Sequence, residues 1–403
     1  MNQVVITLED APESAITASE AAPEIPPNTP RTGHLRTVGR ALRWLGRALA
    51  SMFDWIFGAF ALTLGLAILA AAPVAQFLCL GYLLEASARV ARTGRLREAF
   101  IGVRKASRLG SIVIGVSVLW VLLQVVSSLA LSAELVDPGG PAARRWRTLV
   151  VVSTVLAVVH AMGACARGGR VRHFLIPFGN PFRIYRRIRQ GGAYAAARDG
   201  FAQFVASLHL GHYFRLGLLG FLGTLAWLVI PVSLLGAGRV NPLFGLIGAL
   251  LLGLTVMPLP FLQVRFALSG KLGDLFALRS VRQHYRRAPW AFTLALFLTL
   301  IFAVPLYLLK IEIIPRETAW LPSLVFLAFI FPARILTGWA YGRSLRREPV
   351  RHWFFRWTGR LPLVPLAAFY VLIVFLSQYT AWRGVWSLYE QHAFLLPVPF
   401  LGL

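Results

Sequence analysis

The chain has 403 residues, 57% of them hydrophobic and 14% charged, with a mean hydropathy of +0.66 and a formal net charge of +25. A soluble domain carries about 25% charged residues, so this composition excludes one and points to a bilayer. Both cysteines, Cys79 and Cys165, fall in apolar segments, which argues against a disulfide framework or a cysteine-based metal site.

Residues 1–30 hold Glu9, Asp10, Glu13, Glu20 and Glu24 and no basic residue. They read as a disordered acidic tail, with too little apolar content to offset the entropy of ordering. The basic start and apolar core of a cleaved signal peptide are lacking, so the N-terminus is expected to stay. In 31–51, Leu35, Val38, Leu42, Leu45 and Leu49 recur at steps of three and four, with Arg36, Arg40, Arg43 and Arg47 on another face. That pattern predicts an interfacial amphipathic helix with its arginines among anionic headgroups. The alternative is a cytosolic extension of the first membrane helix.

Eight apolar segments follow, near 52–87, 110–133, 148–166, 216–237, 242–264, 289–309, 318–342 and 361–382. About 20 apolar residues cross the hydrocarbon core as a helix, and lipid offers no partner for an unpaired backbone. The expected fold class is therefore all-α, a polytopic integral membrane helix bundle. Its halves run over 52–215 and 216–403, the first carrying a basic segment at 167–215. That segment includes Arg183, Arg186 and Arg187 among aromatic residues, a mixture suited to the headgroup layer. The same mixture can stack single-stranded RNA, but between membrane helices lipid is the expected partner and nucleic acid is not.

Arginine and lysine sort by loop. The stretches 31–47, 89–108, 167–215, 265–287 and 334–360 carry 34 of the 41 basic residues, which predicts that they face the cytoplasm of a cell inner membrane. The first apolar segment must then enter and leave on one side. It is broken by "AAAPVAQ" at Pro73, where a hairpin is the preferred reading. A single crossing with an external N-terminus would suit the repeat described next equally well.

"RVARTGRLREAF" from Arg89 and "RFALSGKLGDLF" from Arg265 lie 176 residues apart. They share in register Arg89 with Arg265, Gly94 with Gly270, Leu96 with Leu272 and Phe100 with Phe276, together with one alanine pair. A tandem duplication in one orientation, with halves related by an axis along the membrane normal, is one explanation. The likeness of any two arginine-rich helix exits is the other. With the flanking "LGYLLEASARVARTGRLREAF" and "RFALSGKLGDLFALRSVRQHYRRAPWAF", residues 55–310 resemble the polytopic membrane proteins grouped as domain of unknown function 4013. The resemblance implies a multi-pass membrane protein and brings no catalytic residue. The chain departs from that family in lacking a Leu-Pro-x-Trp element after the first exit.

No P-loop, H-E-x-x-H or G-x-S-x-G is present. Glu85 is the deepest acidic candidate, and an ion pair with Arg89 one turn on is its plainer reading. His160 is expected as a neutral histidine bonded to a neighbouring helix, and His209 with His212 as interfacial residues sharing a helix face. Gln76, Gln124, Gln263 and Gln378 are expected to be buried, either lining a path or bonding between helices. No cofactor or metal is implied. The reading is a non-enzymatic inner-membrane protein, a structural or accessory subunit engaging anionic lipid or a protein partner through its basic face. The alternative is a transporter of a lipid-like or small apolar solute.

Overall fold

The computed structural model describes residues 32–175, 189, 191, 193–308, 320–381 and 384–390. Arg183, Arg186 and Arg187 lie outside the described residues. Contacts divide the chain into two units, Met1–Met52 and Phe53–Leu403. Among the described residues every regular element is helical. Six helices are long and apolar enough to cross a membrane, or eight if each of two bent pairs is one span.

Helix α1 runs unbroken over Thr32–Ala71, so residues 32–51 are helical and continuous with the start of the first apolar segment. Pro73, which has no amide to donate, stops it. A tight turn follows, with Val74 at φ 67° and the Ala75 amide donating to the Pro73 carbonyl at 2.7 Å. Helix α2, Gln76–Thr93, then runs to Gly94.

The direction of α2 follows from its neighbours. The Trp55 and Phe100 rings meet with centroids 4.9 Å apart. A methyl group on Gly58 would press on Val103, the first residue of α3 (Val103–Val136), and one on Gly110 would press on Ala61. Residues 55–61 and 100–110 therefore climb side by side in the same direction, so the chain between them comes back. At about 1.5 Å per residue the 18 residues of α2 cover about 27 Å, enough for that return. The first apolar segment is a hairpin.

Helix α4, Pro141–Ala166, descends beside α3, and the short α5, Val171–Leu175, tucks Phe174 against Gly115. Helix α6, Ala193–Ala206, ends before the left-handed His209, and α7 climbs over Leu210–Ala237. Asn241 then caps α8, Pro242–Val256, by accepting from the Leu243 amide at 2.9 Å. A 44° bend joins α8 to α9, Leu259–Ser269. The polar α10, Leu278–Arg287, meets α11, Pro289–Leu308, at 113°, which lays α10 across the end of the bundle. Helices α12 (Trp320–Leu345), α13 (Trp353–Arg360), α14 (Leu363–Thr380) and α15 (Ser387–Glu390) complete the order.

Helix α2 lies at the centre, with buried residues on all its faces from Cys79 to Ala91. Small residues permit this. Gly81 and Gly217 bring α2 and α7 into backbone contact, since a methyl group on Gly81 would overlap the Tyr213 carbonyl and one on Gly217 the Phe77 carbonyl. About two to three turns further along α2, the Gly338-x-x-x-Gly342 pair of α12 lies on the backbone of Ser87 and Ala91. Such contacts suit a medium where helices gain little from leaving lipid and close packing supplies the attraction. Of the charged residues on α2, Glu85 is buried by these neighbours, whereas Arg89 and Arg92 are half exposed near the helix end. By contrast, α3 and α4 turn long apolar faces outward, with Val113, Trp120, Val151 and Leu156 exposed.

Candidate functional site

The matched segments share a backbone path. Gly94 (φ 75°, ψ 2°) and Gly270 (φ 70°, ψ 7°) end α2 and α9 in the left-handed region, where glycine carries no steric penalty. Arg95 and Lys271 follow as extended residues at φ −104° and −100°, each opening a 3₁₀ turn. The Thr93 and Ser269 hydroxyls accept from the amides of Arg95 and Lys271 at 3.3 and 3.2 Å. One buried carbonyl in each segment takes an aromatic donor. Tyr82 donates to the Ala99 carbonyl at 3.1 Å and Trp227 Nε1 to that of Leu275 at 3.0 Å.

Beyond these segments the likeness stops. The first leads directly into α3, whereas the second leads through α10 and a sharp bend into α11. Leu96 and Leu272 are both exposed, but Phe100 packs against Phe331 while Phe276 is exposed and stacked on Trp227. The charges also differ. Arg265 Nε donates to Asp274 at 2.9 Å and its Nη1 to the Ser280 hydroxyl, whereas Arg89 turns back to Glu85. Burial alone would raise the Asp274 carboxyl, but hydrogen bonds from Ser269 and Arg265 hold it below the usual range.

Glu85 is paired. Arg89 Nε donates to it at 3.2 Å, Arg92 Nη1 lies at 3.5 Å and His212 Nε2 at 3.6 Å. Arg89 and Glu85 form the expected pair one turn apart. His209 precedes α7 in a left-handed conformation, so it does not share a helix face with His212. His160 is buried and its Nε2 donates to the Phe174 carbonyl at 2.8 Å, on α5. Gln76, Gln263 and Gln378 are buried. Gln124 is exposed on α3, a correction whose reason is that α3 has few neighbours to cover it.

A second correction concerns Arg334, counted by sequence among the loop residues of 334–360. It is 3% exposed inside α12. Its Nη1 donates to Gln263 Oε1 on α9, and Gln263 Nε2 donates to the Thr224 hydroxyl on α7 at 2.7 Å. This polar chain ties three helices together inside the bundle. Hydropathy could not place it, since one arginine beside an apolar run reads as the end of that run.

At the end of the bundle that holds Gly94, Gly270 and α10, arginines outnumber carboxylates. Lys105 Nζ donates to the Ser207 carbonyl at 2.8 Å and Arg346 Nη1 to that of Ala91 at 3.2 Å, in the last turn of α2, where a cation suits the helix dipole. Arg95, Arg97, Arg104, Arg343, Arg347 and Arg351 have no carboxylate within ion-pair reach among the described residues. Arg47 is exposed on α1; of Arg36, Arg40 and Arg43 only the helical backbone is described. Among the described residues no three histidine, cysteine or acidic side chains converge as a metal site. The arrangement can attract phosphate or carboxylate groups and hold them by charge-assisted hydrogen bonds.

No protein-family model, curated protein or solved structure matches the chain.

Proposed function

We propose that this is a non-enzymatic protein of the cell inner membrane, a structural or accessory subunit. Its basic end faces the cytoplasm and engages anionic lipid or the acidic face of a protein partner. The observation that carries this reading is the collection, at one end of an apolar bundle, of arginines without carboxylate partners among the described residues. Juxtamembrane basic residues each gain about 1 kcal/mol near an anionic leaflet. The resemblance to domain of unknown function 4013 agrees with a multi-pass membrane protein and brings no catalytic residue to this chain.

Native mass spectrometry of the full chain, purified in mild detergent, tests the reading. Co-purification of anionic phospholipid or a stoichiometric protein is expected, and a chain that retains neither would overturn it. A second reading, transport of a lipid-like solute, draws on Arg334, because an ionisable side chain inside a membrane bundle often marks a pathway. Enrichment of one metabolite or neutral lipid in the same spectra would favour it.

Orientation has its own test. In a background lacking Cys79 and Cys165, Thr37→Cys and Thr93→Cys are expected to resist a membrane-impermeant thiol reagent in intact cells and to react after permeabilisation. Labelling of either one in intact cells would overturn the placement of the basic end in the cytoplasm.

A further inference from the structure

A cavity of about 400 Å³ opens at the basic end between the start of α11 and the end of α12. Three of its walls are cationic, formed by Arg343, Arg347 and Arg351, and the rest is apolar, with Trp290, Trp339 and Phe355 prominent. Two of the guanidiniums are held in place. Arg343 lies over the Trp339 ring at 5.4 Å and Arg351 over the Phe355 ring at 5.7 Å, each a cation–π contact. The Arg351 amide donates to the Arg286 carbonyl at 3.0 Å, which fixes the strand of chain that carries it.

No carboxylate offsets these charges among the described residues, and Glu348, next to Arg347 in the chain, makes no ion pair. Burial and the facing charges of Arg343 and Arg351 push the Arg347 guanidinium below its usual range, as expected of like charges crowded without a counter-ion. Trp290 and Ala291 stand in the first turn of α11, where amides have no acceptor within their own helix and the dipole is positive. Every charged element around the cavity favours an anion.

The apolar side separates a lipid from a free ion. Trp290, Leu294, Phe297 and Ile301 are exposed at steps of four, three and four along α11. They form one stripe that starts in the cavity and climbs towards the middle of the span. A free phosphate has no use for such a stripe, whereas an acyl chain is matched by it.

We propose that this cavity seats the phosphate headgroup of an anionic lipid between Arg343, Arg347 and Arg351, with an acyl chain lying along Trp290, Leu294, Phe297 and Ile301. The proposal rests on the reading of the basic end as an anionic-lipid face and names one defined site within it. Three cations and a helix N-terminus exceed the charge of one phosphodiester, so a lipid with a terminal phosphomonoester is the preferred ligand. Basic pockets between membrane helices are a known form of headgroup recognition.

The test is a titration of the full chain in detergent with dioleoyl phosphatidic acid, dioleoyl phosphatidylcholine or inorganic phosphate, read by native mass spectrometry. One saturable phosphatidic acid is expected, without phosphatidylcholine binding and without displacement by millimolar phosphate. In the variant Arg343→Gln/Arg347→Gln/Arg351→Gln its affinity should fall roughly tenfold or more, since charge-assisted hydrogen bonds to phosphate are about twice as strong as neutral ones. Leu294→Asp, which leaves the arginines intact and puts a charge on the stripe, should weaken the same adduct. Size-exclusion elution of both variants controls for folding, and neither alters a buried side chain. If the wild type binds anionic lipid and the triple variant binds it equally, the cavity assignment falls while the basic-face reading stands. A wild type that binds no anionic lipid would overturn both. Displacement by phosphate, or indifference to Leu294→Asp, would overturn the lipid in favour of a free anion.

Discussion

Gly217→Leu is expected to lower sharply the temperature at which the detergent-solubilised protein stops eluting as a folded species. Gly217 has no room for even a methyl group, because its Cβ position is occupied by the Phe77 carbonyl of α2 and lies 2.9 Å from the Gly81 amide nitrogen. A leucine must drive α2 and α7 apart, and any shift of α2 also disturbs the backbone contact that Gly338 and Gly342 of α12 make with it further along. Ordinary overpacking of a core costs about 1–3 kcal/mol and is relieved by side-chain movement. Here the obstacle is backbone on both sides, so the loss should be larger. The control is Gly65→Leu on α1, where nothing lies within 4 Å of the added carbon. Size-exclusion elution after stepwise heating compares the two. Equal midpoints for Gly217→Leu and wild type would show that α2 is not clamped as described.

The polar chain inside the bundle should give the second largest effect. Gln263→Leu takes from the buried Arg334 guanidinium its Gln263 acceptor, a loss of about 1.5–3 kcal/mol for a hydrogen bond to a charged group. Arg334→Met removes the charge itself and leaves the Gln263 carbonyl oxygen without that donor, costing about 1–3 kcal/mol. The double variant discards the charge and its acceptor together. Thr224 can then turn its hydroxyl to its own helix, so the double variant should be more stable than Gln263→Leu alone. Thermal midpoints of the three variants complete a double-mutant cycle. Strictly additive losses would mean that the contact does not couple α9 to α12.

Both experiments probe features that a linear reading approaches from different distances. The close approach at Gly338 and Gly342 has a visible signature, two glycines four apart in an apolar run. Its partner, the Ser87 and Ala91 face of α2, does not, because pairing between segments 250 residues apart is decided by packing. The cavity arginines show the same division. Trp339, Arg343, Arg347, Arg351 and Phe355 stand every four residues, a spacing that could have flagged a shared surface. The opposite wall at Trp290 and Leu294 belongs to another helix, and only the turn of α12 back onto α11 brings it there. Arg334 was misplaced because hydropathy registers the charge and cannot register a glutamine on a neighbouring helix that receives it.

The first hairpin was half legible. Charge on both sides of an overlong apolar segment required a return, and proline supplied a place for it. The return itself rests on Trp55 meeting Phe100 and Gly58 meeting Val103.

By itself the sequence determined the class, an all-α membrane bundle with one strongly basic set of loops. Composition and apolar run length are sums over local residues, and lipid admits helices as their simplest solution. It also matched Gly94 with Gly270 in register, and the two share a left-handed backbone because a short segment with its own hydrogen bonds can set its conformation locally. Only the tertiary structure decided which helix is central, which arginine is interior and which arginines share a cavity. Those properties belong to a residue's neighbours, and the neighbours come from distant segments whose contacts depend on close packing in three dimensions.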